Sequence, residues 1–126
     1  MTSAATNPPS SSVLIVDQSE ATREVLRTVL QSRGVSILEA RQADQGLEIL
    51  RTRHPNVVVV DLEDDRSEAD KVQAAFENES REQDVSLVLL GRVARSEARD
   101  SDHRMIDKPY HYGPLIRTIE QLLHRH

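Results

Sequence analysis

The chain has 126 residues, 37% apolar and 29% charged, with a formal net charge of −5 and no cysteine. That length holds a single domain around one continuous core, and the missing thiols exclude disulfides, zinc–thiolate sites and cysteine nucleophiles. Its aromatic residues are Phe76, Tyr110 and Tyr112, and an acidic chain with so few stacking groups is a poor candidate for nucleic-acid binding. No apolar run approaches the ~20 residues of a membrane span and no signal-peptide core opens the chain, so a cytoplasmic location is expected.

Residues 1–11 are built from Met, Ser, Thr, Ala, Asn and Pro, which cannot bury enough apolar surface to offset ordering entropy, and a disordered leader is expected there. One domain should fill 12–126. Short aliphatic runs then alternate with amphipathic stretches, the signature of a parallel sheet with crossover helices. Strands are predicted over 13–17, 35–39, 57–61, 85–90 and 103–107. Val57 to Val60 are four consecutive valines, a run with no wet face, so this strand belongs at the sheet centre.

The first helix should take Ser19 as N-cap, bury Val25, Leu26, Val29 and Leu30, and stop at Gly34. A second, over 42–53, should bury Ala43, Leu47 and Leu50 and end before Pro55. A third opens near Ser67 and turns Val72, Ala75 and Phe76 inward. Segment 92–102 has only Val93, Ala94 and Ala98 as apolar residues, so a helix there would be short and weakly packed. The last helix starts about Tyr112, has Pro114 in its first turn and carries an apolar stripe of Leu115, Ile116, Ile119, Leu122 and Leu123.

Open doubly wound sheets form their sites beyond the carboxyl ends of the strands. Three predicted strands end in charge, at Asp17, Asp61 and Asp107 with Lys108 directly after it. With residues 13–17, 57–61 and Lys108-Pro109 in this order on a βα frame, the chain resembles bacterial response-regulator receiver domains, in an atypical form. The resemblance runs from about Ser12 to the carboxyl terminus. It implies an α/β flavodoxin-like fold with one doubly wound five-stranded parallel sheet of order 2-1-3-4-5 and, here, a short or weak fourth helix. That order makes the first and third strands neighbours, so Asp17 and Asp61 should converge in one acidic pocket, with Lys108 entering from the edge.

The resemblance also implies roles. Asp61 stands where the family's phosphoacceptor attacks the phosphohistidine of a sensor histidine kinase or histidine phosphotransfer protein, and Lys108 would contact the phosphoryl oxygens. Mg2+ would be held by Asp17, Asp61 and the backbone carbonyl of Glu63, with Gln18 as a weak ligand. The family carries two adjacent acidic residues after its first strand, and Gln18 replaces the second, so metal binding should be weakened by one lost charge. The family's strand-4 hydroxyl falls at Leu90 or Gly91 and its strand-5 aromatic at Met105, neither of which keeps the group, so switching should be muted. Asp65 and Ala69 replace the usual proline and glycine of the loop.

Plainer readings stand beside these. Asp61 can be a strand-end aspartate capping a turn, and Lys108 can pair with Asp107 or Asp61 with no phosphate present. Glu63, Asp64 and Asp65 read as a solvated loop or a compensating ligand set. Arg92, Arg95 and Arg99 would share one helix face, and an output protein or second copy could meet the 92–126 surface. His54, His103, His111, His124 and His126 show no metal-ligand spacing. Two functions stay open: a receiver phosphorylated on Asp61, or a pseudo-receiver that binds partners without phosphoryl transfer. Neither is an enzyme acting on a small molecule. With no output domain after His126, the chain acts alone or belongs to a larger regulator.

Overall fold

In the computed structural model, which describes residues 11–62, 66–91 and 103–125, the valine run occupies the middle of a five-stranded parallel sheet. The strands are β1 (Ser12–Val16), β2 (Ser36–Ala40), β3 (Val57–Asp61), β4 (Ser86–Leu90) and β5 (His103–Ile106). Their order is β2-β1-β3-β4-β5, as the resemblance implies. The helices are α1 (Glu20–Ser32), α2 (Ala43–Arg53), α3 (Arg66–Gln83) and α4 (Tyr112–Leu123). The leader up to residue 10 and segment 92–102, with its expected weak helix, lie outside the described residues.

Side-chain alternation sorts the core into two layers. Val13, Ile15, Val57 and Val59 pack with Leu26 and Leu30 of α1 and Leu115 and Ile119 of α4. Leu14, Val16, Val58 and Val60 pack on the other face with Leu50 of α2 and Phe76 of α3. Both faces of β3 are therefore dry.

Helix α1 starts as expected: the Ser19 hydroxyl accepts from Thr22 N–H at 3.1 Å, and Gly34 follows the helix at φ 88. Its buried stripe differs. Leu26 and Leu30 are fully buried, Val25 and Val29 only half so, and Arg23 is buried beside them. An arginine can be buried there because its charge is paired. It bonds Glu20 and lies 3.7 Å from Glu39 of β2, and Arg27 holds the same Glu39 at 2.7 Å.

Four strands also depart from expectation by one residue. The N–H groups of Val35 and Val85 go back to the carbonyls of Leu30 and Ser80, closing the preceding helices, so β2 and β4 begin one residue later. Asp17 still donates its N–H to the Ala40 carbonyl at 3.0 Å, but its side chain turns away to serve the loop, and β1 ends at Val16. β5 likewise ends at Ile106. Toward the amino end, Ser11 is buried and its carbonyl accepts from Ser36 N–H at 2.9 Å, so order begins earlier than composition suggests.

Gly46 lets α2 lie close against β1. A Cβ there would sit 2.6 Å from Val16 Cγ2 and 3.2 Å from Phe76 Cζ. Alanine favours the helix by about 1 kcal/mol, but overpacking a stiff β-branched neighbour costs about 1–3 kcal/mol. Gly46→Ala is therefore expected to lower stability by roughly 1–2 kcal/mol, read as a lower urea midpoint at unchanged slope. A higher midpoint would show that Val16 yields freely.

Candidate functional site

Parallel strands deliver their carboxyl ends to one edge. Val16 lies beside Val60, Asp61 beside Leu90, and Leu90 beside Ile106. Asp17 and Asp61 therefore leave the edge from neighbouring strands, and Lys108 follows two residues after the end of β5. Lys108 reaches across β4, and its Nζ pairs with Asp61 Oδ1. The Asp61 side chain is 12% exposed and that of Lys108 37%, which sinks the carboxylate and leaves the ammonium at the rim. Of the two pairings open to Lys108, the one described is with Asp61.

Asp17 is buried and its Oδ1 accepts from Ser19 N–H at 2.8 Å, ordering the turn that leads into α1. Burial pushes its carboxyl above the ordinary carboxylate range. The Ser19 amide opposes that rise, the negative charge of Asp61 adds to it, and the charges of Lys108 and Arg23 oppose it. Asp17 thus sits in one electrostatic cluster with Asp61, Lys108 and Arg23.

Beyond Lys108 the chain passes through a cis peptide to Pro109 and places Tyr110, half-buried, against the α1/α4 core layer. Its phenol is pushed up to about 12, first by burial and then by the charges of Asp17, Tyr112 and Asp61, with a hydrogen bond to Thr22 acting the other way. Tyr112 stands edge-on to the Tyr110 ring at 5.9 Å and donates its hydroxyl to Thr22 Oγ1 at 3.4 Å.

The end of β4 offers no hydroxyl. Leu90 is 1% exposed within the core. Gly91 adopts φ 129, where a Cβ would stand 2.9 Å from the Leu62 carbonyl oxygen, so a side chain there is excluded by both backbone and space. Met105 is 42% exposed on the edge strand β5.

Of the expected site residues, Asp17, Asp61 and Lys108 come together. Gln18 lies exposed beside Asp17. Glu63, Asp64, Asp65, Arg92, Arg95 and Arg99 lie outside the described residues. Among those described, no group of three or more His, Cys, Asp or Glu could hold a metal ion, and His54 instead bonds Gln83 through Nδ1 at 2.8 Å. Sequence reasoning passed over Arg23, Thr22 and Tyr110. Arg23 could have been found three residues before Leu26 on the apolar stripe, and Tyr110 as one of two tyrosines close behind Lys108.

The chain matches the response regulator receiver domain family over residues 13–88. It is 30% identical over 122 residues to the KDP operon transcriptional regulatory protein KdpE of Escherichia coli (strain K12), covering 90% of this chain and 52% of that one. The chain thus spans about half the length of the curated relatives it matches. Among solved structures, a CheY-like receiver domain from Methanospirillum hungatei JF-1 superposes with a TM-score of 0.71 at 22% identity, over 92% of this chain and 98% of that one. The signal receiver domain of an HD domain-containing protein from Pseudomonas fluorescens Pf-5 gives 0.72 at 20% identity, over 96% and 92%. A family match over more than half the chain, on a sheet of the expected order with Asp17, Asp61 and Lys108 at its carboxyl edge, makes this protein a member of the response regulator receiver domain family.

Proposed function

We propose that this receiver domain accepts a phosphoryl group on Asp61 from the phosphohistidine of a sensor histidine kinase or histidine phosphotransfer protein, with weakened metal binding and muted switching. The observation that carries the reading is the sunken Asp61 carboxylate held by Lys108 next to the buried Asp17. An Asp61 oxygen attacks phosphorus, the P–N bond breaks, and its electron pair leaves on the imidazole nitrogen. Lys108 already holds the attacking carboxylate and needs only to slide onto the phosphoryl oxygens to offset their charge.

Two coupled carboxylates on adjacent strands suit Mg2+, which takes one or two carboxylates and keeps several waters. Asp17 and Asp61 would hold it, with the Glu63 backbone carbonyl and the Gln18 amide as weaker donors. When bound, it supplies neutralising charge at the acceptor. The second reading, an interaction module without phosphoryl transfer, draws on the same ion pair, because Lys108 and Asp61 already satisfy each other and Leu90 and Gly91 supply no hydroxyl. In either reading an output protein or a second copy would dock on the 92–126 surface, where Met105 is exposed.

Incubation with Mg2+ and a small-molecule phosphodonor, followed by intact mass, is expected to add one phosphoryl group to the parent and none to Asp61→Ala. No mass gain from a donor or a cognate kinase would leave only the interaction module. Gln18→Asp restores one charge near the metal, worth about 1–2 kcal/mol at short range in a wet site, and should tighten Mg2+ on the order of tenfold; unchanged affinity in a titration would place the metal elsewhere.

Asp17→Asn should separate stability from metal binding. A carboxyl raised by burial stabilises the fold while protonated, below the ordinary carboxylate range, and that contribution is lost as pH rises through the raised value. At neutral pH the ionised Asp17 therefore costs stability. Asp17→Asn is expected to raise the thermal midpoint at neutral pH, to lose that advantage in acid, and to weaken Mg2+; a lower midpoint at neutral pH would contradict the burial argument.

A further inference from the structure

We propose that Ser19 and Thr22 form a hydrogen-bonded relay that ties the Asp17 carboxylate to the start of α4, with Tyr112 as its last member. The relay rests on the phosphoacceptor reading for what it serves, since Asp17 is a carboxylate of that pocket. Asp17 Oδ1 accepts from Ser19 N–H at 2.8 Å. The Ser19 hydroxyl, capping α1, accepts from Thr22 N–H at 3.1 Å, and the Ser19 carbonyl accepts from Arg23 N–H at 3.1 Å. Thr22 Oγ1 in turn accepts from the Tyr112 hydroxyl at 3.4 Å, and Tyr112 is the first residue of α4. Ser19 and Thr22 are each held by one bond and hold the next residue by another. Ser19 therefore cannot move with Asp17 without drawing the first turn of α1 along with it.

Bond length and exposure decide where the relay gives way. The first bond ends on a buried carboxylate and is short, as charge-assisted bonds are. The last is long and lies at the surface, with Tyr112 36% exposed, so water can replace it at little cost. A change at Asp17 is therefore read as a made or broken bond between Tyr112 and Thr22 before either helix unravels. With Oδ1 engaged by Ser19 N–H, a cation in the pocket either takes Asp17 through its other oxygen or competes with that amide for the first. Both draw charge from the acceptor and loosen the first link. At the opposite ends of the same helices Arg33, the C-cap of α1, pairs with Glu120 of α4. The two helices are thus joined at both ends, and the neutral Tyr112 bond is the weaker tie.

The test follows backbone amide resonances and needs neither metal nor phosphoryl transfer. Asp17→Ala removes the acceptor and Ser19→Ala removes the cap hydroxyl. Each is expected to shift the amides of Thr22 and, across the relay, those of Tyr112, Gly113 and Leu115 in α4. In a Tyr112→Phe or Thr22→Val background, which keeps the ring or the volume and removes the last bond, the α4 shifts should fall by about half or more. Asn56→Ala breaks the 2.9 Å bond from Ser12 N–H at the amino edge of the sheet; it lowers stability without touching the relay and should leave the start of α4 unshifted. Shifts that stop at Thr22 in either variant, as an ordinary N-cap would give, or α4 shifts undiminished without the Tyr112 hydroxyl, would overturn the proposal. Should Asp17→Ala fail to fold, Ser19→Ala alone decides. Intact mass of the phosphodonor-treated parent is scored separately: no gain counts against Asp61 as acceptor, whereas the amide shifts decide the relay.

Discussion

Val57 to Val60 place four branched apolar side chains in succession, and a strand alternates its faces at every residue, so neither face of β3 can meet water. All four are at most 1% exposed. The remaining architecture follows from satisfying that constraint. Helices must cover both faces, which requires crossovers of both windings from a central pair of strands. Polar chemistry is driven out of the sheet to its edges. Asp61 is the first ionisable residue of β3, and it stands where the strand emerges.

Emergence is only partial, and that shapes the electrostatics of the pocket. Asp17 and Asp61 leave neighbouring strands at the same edge, and both burial and the negative charge of Asp61 favour the neutral form of Asp17. Lys108 and Arg23 offset part of this. Arg23 does so from inside the α1 stripe, where it is itself held by Glu20 and stands near Glu39. The pocket is a place where local stability is given up for a charge arrangement that a well-packed apolar edge would not need. Gln18, exposed beside Asp17, adds no further negative charge to the pocket.

Close backbone approaches tune what the pocket can reach. Gly46 brings α2 down onto Val16, the residue before Asp17, and Gly91 presses onto the Leu62 carbonyl, beside Asp61. At Gly91 this leaves no room for a side chain against the Leu62 carbonyl, next to Asp61. The aromatic and hydroxyl groups that do approach the pocket come instead from beyond the cis Lys108–Pro109 bond, on Tyr110, and they face α1 and α4 rather than the edge strand.

Much of this was legible in the order of residues. The strand–helix alternation, the Ser19 cap, Gly34, Pro114 and the apolar stripe of α4 are local signals, set by backbone propensity and by the period of apolar residues, and they need no knowledge of distant contacts. Asp17, Asp61 and Lys108 as strand-end charges were legible for the same reason, and the resemblance supplied the strand order. What the tertiary structure decided was pairing at a distance. Arg23 on an apolar stripe is readable as buried only once Glu39 of β2 stands near it. Gly46 matters only because Val16 and Phe76 arrive at the same point. Tyr110 comes near the site only when the chain after Lys108 folds it against the α1/α4 core layer. Propensity and periodicity are properties of a few consecutive residues, whereas packing and charge pairing depend on which surfaces meet, and the folded chain alone decides that.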